Sequence, residues 1–143
     1  MEGEDNGCVE TGHGRVHRIG HATRLIEDRE LTDYANTNRI PLEICITSNV
    51  QTRVADSAAR HPIREYYDRG LNVILNTDNR LMSGVTLTDE YAAANAALGF
   101  SFDELAAVAL NGFESGFLPA VERARLAERA RADIARLRVE AVA

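Results

Sequence analysis

Three candidate strands in this chain are each followed by residues able to do chemistry. Residues 15–20 lead to His21, residues 42–46 to Ser48 and Asn49, and residues 71–75 to Asp78 and Asn79. An imidazole exchanges a proton near neutral pH. A carboxylate accepts a proton or holds a cation, and an asparagine amide both donates and accepts hydrogen bonds. Ser48 and Asn49 suit loop organisation better than nucleophilic attack, since no matching general base can be named for Ser48. Taken singly, each residue also has a structural explanation. Asp78 suits a helix N-cap or turn, His21 a satisfied half-buried histidine, and Asn79 a turn.

The elements that must position these residues alternate. A strand over 15–20 precedes a helix over 22–38, in which Leu25, Ile26, Leu31, Tyr34 and Ala35 share a face. Pro41 restarts the chain, and 42–46 reads as a buried strand followed by a polar loop over 47–52. Pro62 opens a helix over 63–69 that stops at Gly70. Residues 71–75 form a third strand, and 76–84 a loop. The remainder is helical: 88–98, then a helix opened by a Ser101–Glu104 capping box and reaching Asn111-Gly112, then a last helix after Pro119. In that last helix Val121, Ala124, Ala127, Ala130, Ile134, Leu137 and Ala141 make one apolar stripe. Strand–helix alternation implies parallel strands with helical crossovers. Ligands in such folds bind beyond the carboxyl ends of the strands, where the three polar clusters fall. The clusters lie 27 and 30 residues apart. An eight-unit barrel of about 250 residues has close to that spacing, and three units cannot close one.

The whole is 143 residues with 16 Lys+Arg against 22 Asp+Glu, a net charge of −6. A chain this acidic is a poor general binder of nucleic acid or anionic membrane. No apolar run is long enough to span a bilayer. The N-terminus lacks the pattern of a secretory signal. Cys8 and Cys45 make neither a zinc ligand set nor a disulfide framework, so the expected compartment is the cytoplasm. Residues 1–14, acidic and glycine-rich, read as a loose tail, and 15–143 as one domain.

Four segments carry a family resemblance: RIGHATRL (18–25), LEICITSNVQT (42–52), HPI (61–63) and LNTDNRLMSGVTLTDEY (75–91). Together, in this order, they resemble the adenosine deaminase family, zinc hydrolases on a (β/α)8 barrel that convert adenosine to inosine and ammonia. The resemblance implies that the chain is the C-terminal part of such a TIM barrel: three βα units, strands six to eight, plus trailing helices. It assigns Asp78 as a zinc ligand that also holds the attacking water. His21 becomes the catalytic histidine, either general base or electrostatic helper. Asn79 stands where many relatives have a second aspartate contacting the purine ring nitrogen; an asparagine amide donates there at any pH. Gly20, beside His21, permits close approach of backbone to substrate. His61 and Arg80 read as structural.

The family's H-x-H pair is absent, and His13 and His17 sit in a glycine-containing stretch. Met1-Glu-Gly-Glu4 resembles the end of the family's H-A-G-E motif, with Met1 in the histidine's place and Glu4 in that of the proton-donating glutamate. The segment joining Glu4 to Arg18 is shorter than in relatives and glycine-rich where they have a helix. One confident zinc ligand out of four implies weak or absent activity for the chain alone. The start at a motif boundary reads as a truncation. An open sheet edge favours a homo-oligomer or a complementing N-terminal half. The alternatives are a non-enzymatic degenerate paralogue or interaction fragment, and a related aminopurine substrate such as adenine.

Overall fold

Short runs of β-branched and aliphatic residues build a three-stranded parallel sheet. The computed structural model describes residues 16–142. Strands β1 (Ile19–Gly20), β2 (Leu42–Ile44) and β3 (Val73–Leu75) lie in the order β1-β2-β3. The register aligns Ile19 with Leu42 and Leu42 with Val73, and on the next row Gly20 with Glu43 and Glu43 with Ile74. Side chains alternate between faces along a strand. The Ile19–Leu42–Val73 row therefore shares a face with Ile44 and Leu75, and all five belong to the main hydrophobic core. The other face carries Gly20, Glu43 and Ile74.

The crossovers are helices α1 (Arg29–Thr37) and α3 (Ile63–Asp68), with a further helix, α2 (Ile46–Gln51), directly after β2. Then come α4 (Arg80–Ser83), α5 (Leu87–Leu98), α6 (Phe102–Glu114) and α7 (Ala120–Val142). Tyr66 and Phe100 are the largest fully buried side chains, joined by Ile63, Ala94 and Val108 from the helices. The fold is thus mixed α/β around a parallel sheet, as the alternating pattern implied.

Several boundaries differ from the sequence reading. The helix expected from residue 22 begins at Arg29. His21 and Ala22 have positive φ, a 3-10 turn occupies Leu25–Glu27, and Asp28 caps α1 by accepting from the Leu31 amide at 3.0 Å. Tyr34 lies outside the buried face of α1, which is led by Thr32 and Ala35. Segment 47–52 is helical rather than a loop, and 76–84 contains α4. The Ser101–Glu104 capping box is present, and α5 has its own between Thr86 and Asp89. Helix α6 passes through Gly112 to Glu114, and the Asn111 amide donates to the Val73 carbonyl on β3 at 3.0 Å. Of the α7 stripe, Ala127 and Ala130 are buried, whereas Val121 and Leu137 are exposed. Residues 1–14, with Glu4, Cys8 and His13, lie outside the described residues, as does the side chain of Ala141.

Tyr66 ties α3 to the turn after β1. Its hydroxyl donates to the Ala22 carbonyl at 2.6 Å and accepts from the Ile26 amide at 2.9 Å. Tyr66→Phe leaves both backbone groups without that partner. The expected loss is about 2 kcal/mol of stability, read as a fall in melting temperature of roughly 6 °C or more.

Candidate active site

The polar clusters predicted at the three strand ends meet in space. At the end of β1 the His21 amide donates to the Glu43 carbonyl at 2.7 Å, extending the ladder by one bond. The chain then reverses. The Ala22 amide reaches back to the Gly20 carbonyl at 2.7 Å, closing a three-residue turn on His21, whose φ is 61°. A γ-turn with positive φ is rare and strained. After β3, Asp78 has φ 56°. His and Asp tolerate the left-handed region better than most residues, yet both remain above their backbone minimum. Strain of this kind clusters at functional sites. The two residues singled out for chemistry are thus both held in it.

Helix α2 brackets the two. Its Ser48 hydroxyl donates to Asp78 Oδ2 at 2.7 Å, and its Asn49 amide nitrogen lies 2.9 Å from His21 Nδ1. Both side chains are buried. Ser48 and Asn49 therefore do organise, as expected, but what they hold is the carboxylate and the imidazole. The other face of Asn49 meets His61: Oδ1 lies 3.0 Å from His61 Nε2. His61 is only 2% exposed, and burial pushes its pKa down to about 4. It is read from sequence as a structural residue before a proline; the structure adds a connection to His21 through one asparagine.

Glu90 of α5 is missing from the sequence reading of the site. It is fully buried, and its carboxylate accepts from the Thr47 amide at 3.1 Å and 3.4 Å. Free amides crowd the first turn of a helix, so a carboxylate there is favourable. Glu90 thereby anchors the helix that carries Ser48 and Asn49. In sequence it lies within the family-like segment 75–91 and directly before the run YAAANAA (91–97).

Asn79 is exposed and caps α4, with Oδ1 accepting from the Leu81 and Met82 amides at 3.1 Å and 3.2 Å. The turn role is therefore real, and the amide nitrogen remains the group able to donate to a ligand. Arg80 is the first residue of α4 and exposed. Gly20 is exposed, and a Cβ built there meets nothing within 4 Å. No described residue presses on Gly20. A surface cleft lined by Thr23, Ile26, His61, Arg64 and Arg69 includes neither His21 nor Asp78.

Zinc needs three or four protein ligands. Among the described residues no three His, Cys, Asp or Glu side chains gather closely enough to hold a metal ion. Cys45 does not fill the gap. Burial, then the neighbouring Asp78 and Glu90 carboxylates, push its thiol up to about 12, so it is no thiolate at neutral pH. The described residues alone do not fit a zinc site. Among them, too, no helix is long and apolar enough to cross a membrane.

Known proteins resemble this chain in sequence and fold. The chain is 41% identical over 112 residues to an adenosine deaminase of Vibrio parahaemolyticus, covering 78% of this chain and 34% of that protein. It superposes on the crystal structure of an adenine deaminase from Arthrobacter aurescens with a TM-score of 0.79 and 32% identity, covering 83% of this chain and 36% of the other. A Burkholderia ambifaria amidohydrolase with bound zinc has the same fold at a TM-score of 0.79 and 21% identity, over 87% of this chain and 35% of that one. The chain spans about a third of the length of these proteins. The family model for adenosine deaminase matches residues 9–133, which include His21, the Ser48–Asn49 bracket and Asp78, and on that match the chain belongs to the adenosine deaminase family.

Proposed function

We propose that this chain supplies the strand six to eight portion of a purine aminohydrolase site, acting on adenosine or a related aminopurine by hydrolytic deamination. The observation that carries the reading is the paired support of its two candidate groups: Ser48 on Asp78 and Asn49 on His21, from one buried helical turn. Such supporting hydrogen bonds fix a reactive group's orientation.

Each residue has a distinct task. Asp78 would be this chain's ligand to zinc, and zinc when bound supplies Lewis acidity. The other ligands are not among the described residues. His21 sits beside the reacting centre, with its ring orientation set by Asn49. Asn79 offers an amide hydrogen to a purine ring nitrogen while its oxygen caps α4. Gly20 leaves room for a ligand against the end of β1. The proton donor to the purine is assigned to Glu4, outside the described residues.

The test uses a full barrel in which this chain replaces the matching third of the Vibrio adenosine deaminase. Gly20→Ala isolates ligand contact from folding. Its Cβ meets no described residue of this chain within 4 Å, so thermal unfolding of the chain itself should be unchanged while kcat/KM of the hybrid for adenosine falls about tenfold or more. Unchanged kcat/KM would remove Gly20 from the substrate site.

A further inference from the structure

The hydrogen bonds from α3 to β1 have a polarity, and it can be read without seeing a hydrogen. The one donor whose direction is fixed is a backbone amide. The Ile63 N–H donates to His61 Nδ1 at 3.2 Å, so that nitrogen is an acceptor and carries no proton. A neutral imidazole then bears its proton on Nε2. That Nε2–H points at Asn49 across 3.0 Å, so the Asn49 atom facing it must be the oxygen. The Asn49 nitrogen therefore faces His21, and its N–H donates to His21 Nδ1 at 2.9 Å. The neutral His21 ring is left with its proton on Nε2.

We propose that His61, acting through Asn49, sets the tautomer of His21, so that His21 meets the reacting atoms as an Nε2–H hydrogen-bond donor and not as a proton-accepting base. His61 is then a positioning residue, two hydrogen bonds from His21, and Asn49 is the coupler. Burial of His61, 2% exposed, keeps the imidazole in the one form compatible with the Ile63 amide. A protonated His61 would present N–H to N–H at that contact. Turning Asn49 over would set its amide N–H against the His61 Nε2–H, donor against donor, so the His61 contact alone fixes the polarity. The γ-turn at His21 and the Tyr66 bond to Ala22 hold the backbone from which the ring projects. In deamination the Nε2–H would stabilise negative charge on the attacking oxygen. That catalytic role rests on the aminohydrolase reading; the tautomer does not.

The test is histidine tautomer assignment by long-range 1H–15N NMR on the full chain labelled with 15N-histidine, at pH 7.5. Expected is a bare Nδ1 and a protonated Nε2 for both His21 and His61. Asn49→Asp keeps the shape and still accepts from His61, but a carboxylate offers no hydrogen to His21. It should switch His21 to the Nδ1–H form. His61→Leu should release the bias and give mixed His21 tautomers, and His61→Gln, whose amide can donate to Asn49, should restore the native one. A wild-type His21 protonated on Nδ1 overturns the proposal, whatever the variants do. So does an unchanged His21 tautomer in folded His61→Leu. In the hybrid barrel, Asn49→Asp should lower kcat about tenfold or more with KM within about twofold. The expected tautomers together with an inactive wild-type hybrid would uphold the relay and sink the aminohydrolase reading.

Discussion

Asp78→Ala in the hybrid barrel is expected to lower kcat for adenosine by at least about a thousandfold, equivalent to about 4 kcal/mol of transition-state stabilisation. The carboxylate follows β3, is exposed, and has one oxygen pinned by Ser48. Alanine removes the charge and the pinned oxygen together. It also carries a cost to the backbone, because alanine tolerates φ 56° less well than aspartate does. Asp78→Asn separates the two effects. Asparagine tolerates that conformation and still accepts from Ser48, so the melting temperature should stay within about 2 °C while activity falls nearly as far. Steady-state kinetics beside thermal unfolding of both variants checks this. Substantial turnover by either folded variant would strip Asp78 of its role.

Acid is expected to destabilise the chain through His61. Its folded pKa of about 4 lies below the ordinary histidine value of 6.5 because burial disfavours the charged ring. The unfolded chain therefore binds an extra proton between these values, and stability falls as pH drops through that window. The stabilisation is fully present above pH 6.5, and no further loss from this group occurs below pH 4. The depression corresponds to about 3 kcal/mol. Urea unfolding at pH 7.5, 5.5 and 4.2 should show this slope, and His61→Gln should flatten most of it. An equal slope in His61→Gln would place the acid sensitivity elsewhere.

What the sequence made legible follows from how local each signal is. Strands β2 and β3 are short runs of buried aliphatic residues, and their chemistry-bearing ends follow directly. The Ser101–Glu104 cap is complete within four residues. Helix α2 was not legible: ITSNVQ is polar and β-branched, and its first turn is anchored by Glu90, 43 residues away. The late start of α1 has the same origin. Nothing near Ala22 foretells that Tyr66 will bind its carbonyl and the Ile26 amide from α3. The α7 stripe has helical period, but only its middle, at Ala127 and Ala130, finds buried surroundings. At the site, His21, Asp78 and Asn79 were legible as residues. The link from His61 to His21 was not, since it depends on one asparagine bridging two elements.

The most direct test of the aminohydrolase reading is adenosine-to-inosine conversion by the zinc-loaded hybrid barrel with this chain unsubstituted. The expected result is turnover within roughly tenfold of the parent enzyme, a difference of about 1.4 kcal/mol. A folded, zinc-loaded hybrid with no turnover of adenosine or adenine would contradict it, and would favour a degenerate, non-enzymatic chain.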